Sequence, residues 1–312
     1  MPLGWIYCRF LAVRSWRTLT EIKIWRYKMN LSDISTIRNV LSKHGFHFSK
    51  SLGQNFLINP DVCPRMADEC GLGKGVGVLE VGPGIGVLTA ELCTRAEKVV
   101  SIELDSRLLP VLNETLSGIS NIKIINDDVL KIDLHKLIEE EFAGLDVVVC
   151  ANLPYYITSP VIMRFLEERL PVSAITVMVQ KEAADRLCAE PGKRACGAVS
   201  AAVRYFSEPQ ILFGVERSSF MPQPNVDSSV IRLDVRKEPA VQIHSEKNFF
   251  ALVKAAFGQR RKTVLNSVAA GLSLTKEQVA QALDRAGIAQ NSRAEQLSME
   301  QLAAFSNELF SE

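Results

Sequence analysis

The sequence predicts an α/β fold, a mainly parallel sheet of about seven strands followed by a small C-terminal domain made only of helices. Three observations predict it. From Val76 onward, short β-branched apolar runs alternate with helical patterns, as chained βαβ units require. Composition shifts at the polar stretch Lys237-Glu238-Pro239, and the apolar patterns beyond it are helical. A chain of 312 residues, 47% of them hydrophobic, is long enough to bury one large core and one small one.

Two amphipathic helices, Leu31–His44 and Asp61–Cys70, lead into the sheet. Strands are expected at Val76–Val81, Lys98–Ile102, Ile122–Asn126, Leu145–Cys150 and Ala174–Val179, with further strands at Ala198–Phe206, Pro209–Val215 and Ser229–Val235. Helices fall at Gly86–Arg95, Ser106–Ser117, Leu134–Glu141, Ser159–Glu168 and Lys181–Ala189. Pro110 predicts a displaced or irregular start for the second of these, because proline carries no amide hydrogen. Past the linker, Phe249, Phe250, Val253, Ala256 and Phe257 recur at helical spacing, and Lys276–Ala286 and Met299–Phe310 repeat the pattern. Residues 30–236 are therefore read as the α/β domain and 240–312 as the helical one.

Lys and Arg total 36 against 35 Asp and Glu, so the chain lacks the global basic charge of a nonspecific nucleic-acid binder. Any such contact must use local basic patches. Seven cysteines, with no zinc-type spacing to one another or to histidine, read as reduced packing thiols of a cytosolic protein, with no metal. No apolar run reaches the length of a membrane span, and an ordinary soluble protein is expected. Residues 1–28 carry Arg9, Arg14, Arg17, Lys23, Arg26 and Lys28 against the single acid Glu21. Their charge resembles a targeting peptide. Met29 also opens a natural start, and that reading is preferred, leaving residues 1–29 out of the fold.

The chemistry-bearing residues gather at predicted strand ends. Leu79-Glu80-Val81-Gly82-Pro83-Gly84-Ile85-Gly86 ends a strand and opens a helix, where glycines permit a tight turn and close backbone approach to a ligand. Its acid-x-Gly-x-Gly-x-Gly spacing suits a methyltransferase loop better than a dinucleotide fingerprint, whose sixth place would be small but is Val87. Glu103 stands at the end of the next strand, where a carboxylate can accept from both ribose hydroxyls, while Asp105 reads as a helix cap. After the third strand, Asp128, followed by Val129, is the preferred acceptor for an adenine amino group, with Asp127 the solvated turn residue.

The fourth strand ends in Asn152-Leu153-Pro154-Tyr155. An exocyclic adenine amine is a poor nucleophile because its lone pair is delocalised into the ring. The Asn152 side-chain oxygen and the Leu153 or Pro154 carbonyl could hold its two hydrogens and draw the nitrogen toward a tetrahedral geometry, aiming the lone pair at a sulfonium methyl. Pro154 stiffens that backbone. Tyr155 can stack on the base, a contact worth about 1–3 kcal/mol.

Together with Ser51-Leu52-Gly53-Gln54-Asn55-Phe56-Leu57, Gln180–Leu187, Phe220-Met221-Pro222-Gln223-Pro224-Asn225-Val226-Asp227-Ser228-Ser229-Val230 and Phe257–Thr263, these motifs make the chain similar to the KsgA/RsmA family of small-subunit ribosomal RNA adenine-N6 dimethyltransferases. The resemblance runs from Ile34 to Glu312. It implies a Rossmann-like class I methyltransferase sheet and S-adenosyl-L-methionine as cofactor, with contacts from Asn55, Leu57, Gly82, Gly84, Glu103, Asp128, Val129 and Asn152. Phe220 would be the second aromatic face of the base, opposite Tyr155. Two adjacent adenosines in a hairpin near the 3′ end of small-subunit RNA would each receive two methyl groups, within an immature 30S particle, by a cytoplasmic monomer without membrane contact. Val87 after the loop, and Asp127 where the family often has glycine, are mild departures. Arg260-Arg261-Lys262 reads either as an RNA-phosphate contact or as a solvated charged face.

Competing expectations are an Erm-type large-subunit methyltransferase with the same motifs, and a noncatalytic organellar RNA or transcription factor of the same fold. A nicotinamide-dependent dehydrogenase has the wrong glycine spacing and no task for Asn152–Tyr155.

Overall fold

The computed structural model describes residues 30–46 and 55–311. The expected leader and residues 51–54 of the entry motif lie outside the described residues. Helix α1 (Ile34–Lys43) begins after Asp33, whose carboxylate accepts from the Thr36 amide at 2.8 Å. Strand β1 (Phe56–Leu57) and helix α2 (Val62–Asp68) follow. The βαβ series then runs β2 (Val76–Val81), α3 (Val87–Cys93), β3 (Lys98–Glu103), α4 (Leu109–Thr115), β4 (Ile122–Asn126), α5 (Leu134–Glu141), β5 (Asp146–Asn152), α6 (Thr158–Glu167) and β6 (Ala174–Gln180). Next come α7 (Lys181–Leu187), α8 (Ala198–Phe206), β7 (Ser207–Val215), β8 (Phe220–Met221) and β9 (Ser228–Val235). The C-terminal helices are α9 (Glu246–Phe257), α10 (Val264–Leu272), α11 (Lys276–Arg285) and α12 (Met299–Leu309).

Seven strands form one sheet in the order β4-β3-β2-β5-β6-β9-β7, the first five parallel. Strand order reverses between β2 and β5, the chain adding β3 and β4 on one side of β2 and β5 and β6 on the other. Such a switch point opens a crevice beyond the carboxyl ends of the strands, where open α/β sheets bind ligands. The strands that border it are nearly continuous apolar runs, Val78 to Val81 and Val147 to Ala151 all being buried, as a sheet covered on both faces demands.

One expected strand is a helix. Ala198–Phe206, expected as a strand, forms α8, with the Gly197 amide donating to the Ser200 hydroxyl at 3.0 Å across its first turn. Three alanines in nine residues favour helix, and burial of Ala201, Val203, Tyr205 and Phe206 outweighs the extended preference of the valines. Removing this stretch leaves seven strands in the large sheet. Pro110 acts as expected: a short 3-10 turn, Ser106–Leu108, precedes α4, and the proline sits in the first turn of the helix.

By compactness the described chain divides into two units, residues up to Gln180 with Phe213–Val230, and Lys181–Leu212 with Ile231 onward. In the second unit Tyr205, Phe206, Phe249 and Phe250 join α8 to α9 through ring contacts 4.9–5.5 Å apart. Ser245, Thr263, Thr275 and Ser298 cap its four C-terminal helices with side-chain oxygens. No described helix is long and apolar enough to cross a membrane. Five of the six described cysteines are buried.

Candidate active site

A cavity of about 300 Å³ opens in the first unit at the carboxyl ends of β2, β3 and β5. Each strand delivers its site residue by stopping at the right place. β3 extends one residue past its expected end so that Glu103 closes it, and β5 extends two residues so that Asn152 does. Asn55, Leu57, Gly82, Gly84, Glu103, Asp128, Val129, Asn152, Leu153, Pro154, Tyr155 and Phe220 all line this one cavity. The elements that carry them are far apart in sequence.

Gly82, Gly84 and Gly86 have φ of 70°, 61° and 90°, in the left-handed region that side chains strain to adopt. A Cβ on Gly84 would stand 3.3 Å from the Phe56 ring, so the loop is both a bend and a close-packed cradle. Glu103 faces it. One carboxylate oxygen accepts from the Asp105 amide at 2.8 Å and the other from the Gly84 amide at 3.4 Å. Glu103 is 6% exposed, and burial pushes its carboxyl up to about 6 against the pull of those two amides. Asp105 caps the following 3-10 turn, as expected, and pairs with Arg107 at 2.7 Å.

Asp128 is half-buried, accepts from the Leu130 amide at 3.0 Å and pairs with Lys131 at 3.2 Å. The Leu130 amide, then Lys131 and Arg164, hold its carboxyl below the ordinary range. Arg164 of α6 also donates to the Ile132 carbonyl at 2.8 Å, which fixes the turn behind Asp128 and Val129. Asp127 is exposed, although it too lines the cavity.

At the end of β5, the Pro154 carbonyl already accepts from the Ile157 amide at 3.1 Å and the Thr158 hydroxyl at 3.4 Å. Those bonds make the Leu153 carbonyl the more available of the two acceptors. Tyr155 is held by Ser228, their oxygens 2.8 Å apart, and burial raises its phenol above the ordinary value. Phe220 lies in β8, which pairs antiparallel with β1 in the register Leu57↔Phe220.

Part of the wall lies outside the residues expected from the sequence. Leu104, Leu130 and Tyr156 are exposed large apolar residues that line the cavity, 50%, 37% and 55% exposed. Leu104 and Leu130 follow the strand-end acids, a place where an apolar residue open to water is itself a signal for a flat apolar ligand. Ser228 falls within the Phe220–Val230 motif without a role of its own there, and Arg164 has no local signal. Arg260, Arg261 and Lys262 lie in the exposed turn between α9 and α10, in the second unit, and Arg260 donates to the Arg194 carbonyl at 3.5 Å.

The family model described as ribosomal RNA adenine dimethylase matches residues 45–310. Ribosomal RNA small subunit methyltransferase A from Alkaliphilus oremlandii is 48% identical over 280 residues, covering 89% of this chain and 98% of the relative. The protein of that name from Geobacillus thermodenitrificans is 50% identical over 284 residues, covering 89% and 97%. Among solved structures, a dimethyladenosine transferase from Plasmodium falciparum superposes with a TM-score of 0.67 at 25% identity, over 80% of this chain and 95% of that one. The 23S rRNA methyltransferase ErmE superposes with a TM-score of 0.64 at 28% identity, over 82% and 100%.

Proposed function

The chain belongs to the ribosomal RNA adenine dimethylase family, and on that premise we propose that it is a small-subunit ribosomal RNA (adenine-N6,N6)-dimethyltransferase. It moves methyl groups from S-adenosyl-L-methionine to two adjacent adenosines in the 3′-terminal hairpin of that RNA. The observation that carries the reading is the meeting of two sets of residues in one cavity, the glycine loop with Glu103 on one side and Asn152–Tyr155 with Phe220 on the other.

The residues fit the cofactor. Gly82 and Gly84 line the cavity with bare backbone, and the buried Glu103 carboxylate suits two ribose hydroxyls. Leu104, Val129 and Leu130 offer apolar contact to an adenine ring, with Asp128 an acceptor for its amino group. Asn55 and Leu57 cover the methionine end. Bound there, S-adenosyl-L-methionine supplies an electrophilic methyl group on a sulfonium.

The remaining work is done by side chains of this protein. Tyr155 and Phe220 clasp the extruded adenine, repaying part of its unstacking. Asn152 Oδ1 and the Leu153 carbonyl accept the two amine hydrogens and hold the nitrogen lone pair toward the incoming methyl. Nitrogen loses its proton after transfer, so no dedicated base is needed. Arg260, Arg261 and Lys262 are offered as contacts to RNA phosphates, which set affinity without reading sequence.

The small-subunit substrate is favoured over a large-subunit one by the relatives' identities of 48% and 50% against 28% for ErmE. Residues 30–236 form the methyltransferase domain and 240–312 the helical domain of a cytoplasmic monomer that acts on an immature 30S particle. The test is to incubate the protein with labelled cofactor and small subunits lacking the dimethylated adenosines, then map the label by nuclease digestion and mass spectrometry. Label in two adjacent adenosines of the 3′-terminal hairpin is expected. Label only in large-subunit RNA, or RNA binding without label, overturns the proposal in favour of the Erm-type or the noncatalytic reading.

A further inference from the structure

The two aromatic residues offered as walls for the target base are held by different means. Tyr155 is tied by its own hydroxyl to Ser228, which is almost fully buried. Phe220 has no polar side-chain atom, so its placement depends on the backbone of β8. That strand has two residues, paired with the two of β1 as Phe56↔Met221 and Leu57↔Phe220, and so short a ladder is not stable alone.

Ser219 extends it. Its carbonyl accepts from the Ile58 amide at 2.8 Å, and its hydroxyl accepts from Asn59 Nδ2 at 3.2 Å. Asn59 Oδ1 in turn accepts from the Asp61 amide at 3.1 Å, at the head of α2. Helix α2 holds the same region at a second point, where the Arg65 guanidinium lies 3.9 Å over the ring of Phe213. Ser219 is buried, so its hydroxyl relies on protein partners rather than on water. Asn59 and Ser219 do not line the cavity, whereas the residues on either side of them in the ladder, Leu57 and Phe220, do.

We propose that Asn59 and Ser219 are positioning residues that couple occupancy of the cofactor end of the cavity to the placement of Phe220 against the target base. The inference rests on the function proposed above. A ligand that contacts Asn55 and Leu57 steadies β1, and β1 passes that constraint to β8 through the Leu57↔Phe220 register and the Asn59–Ser219 bond. Donor binding then completes the acceptor wall, so the base is clasped best when a methyl group is ready.

Hydrogen exchange of the full chain, followed by mass spectrometry with and without S-adenosyl-L-methionine, reads this directly. Cofactor should slow exchange at Ser219–Met221 in the wild type. Asn59→Ala and Ser219→Ala should keep cofactor affinity and lose that protection, and single-turnover transfer at saturating cofactor should fall about tenfold, the scale of one lost hydrogen bond expressed in a rate. Ser219→Thr, which keeps the hydroxyl, should restore both readouts, and the double alanine variant should be no slower than the worse single one. Asn59 is only half-buried, so Asn59→Ala carries the test if Ser219→Ala fails to fold. Wild-type protection in the folded alanine variants overturns the coupling, as does a rate loss that follows melting temperature and is not rescued by threonine. Cofactor-dependent protection in a wild-type chain that methylates no RNA upholds the coupling and overturns the reaction, while absence of cofactor binding overturns both.

Discussion

Burial raises the proton affinity of Glu103, and the ribose contact proposed for it needs the charged carboxylate. Its carboxyl lies at about 6 in the free protein, and two donating hydroxyls would draw it down. Cofactor affinity should therefore be level above pH 6 and weaken below it, by at most about tenfold per pH unit, with proton release on binding near pH 6. Calorimetry in buffers of different ionisation enthalpy measures both. Glu103→Gln should abolish the dependence and cost about 1.5–3 kcal/mol at pH 8, and unchanged affinity there would reject the ribose assignment. Asn152 and Tyr155 separate in another way. Asn152→Ala removes an acceptor aimed at the reacting nitrogen, so single-turnover transfer should drop about a hundredfold or more while RNA affinity at fixed salt holds. Tyr155→Ala should loosen the extruded base by about 1–3 kcal/mol. Wild-type transfer by Asn152→Ala would end the amine-clamp mechanism.

At the scale of elements, the turn from β2 into α3 is the most constrained piece of backbone near the cavity. Gly86 has φ of 90°, and a Cβ there would come within 2.9 Å of Leu116 Cδ2 and 3.3 Å of Thr115 Oγ1, both at the end of α4. Gly86→Ala combines left-handed strain of about 1–2 kcal/mol with overpacking of about 1–3 kcal/mol. Urea denaturation should show a loss of that combined size, with cofactor affinity falling as the loop shifts. A variant as stable as the wild type would mean that Leu116 yields freely and that α4 does not fix the loop. Glycine at this position was visible in the sequence. Its reason was not, because Leu116 is 30 residues away and reaches the loop only after α4 has packed.

Among the described residues, a buried carboxyl inside the sheet acts at the scale of the whole molecule. Ser101, Glu80, Cys150 and Thr176 stand in register across β3, β2, β5 and β6, forming a polar row inside the sheet. Glu80 accepts from Ser101 at 2.5 Å and Thr89 at 2.8 Å, but its Oε1, like Thr176 Oγ1, has no hydrogen-bond partner among the described residues. Burial pushes its carboxyl from the ordinary 4.5 up to about 7, with the nearby Glu103 charge adding to the rise. Because the folded value is the higher one, its stabilising contribution is complete below about 4.5 and is lost as pH rises through 7. Relative to Glu80→Gln, the wild type should lose on the order of 1–3 kcal/mol between pH 5 and pH 8 in denaturant titrations. Parallel pH profiles would show that Glu80 does not titrate in the fold.

What the sequence determined by itself was local or periodic. The βαβ alternation, the helical tail, the glycine turn and the strand-end acids follow from apolar period, turn chemistry and the placing of polar residues at the ends of apolar runs. Phe220 and the leading Asn55-Phe56-Leu57 were legible only through family resemblance, since nothing in their spacing points to a ligand. Tertiary structure decided the rest. It turned Ala198–Phe206 into a helix, because burial of one apolar face outweighed the extended preference of its valines. It occupied the Pro154 carbonyl with the Ile157 amide and the Thr158 hydroxyl, which is why the Leu153 carbonyl is the one proposed for the amine. It brought Ser228 to Tyr155 across 73 positions and Ser219 to Asn59 across 160. Contacts of that separation depend on strand order and register, and those are set only when distant apolar faces close on one another and each buried polar group must find a partner.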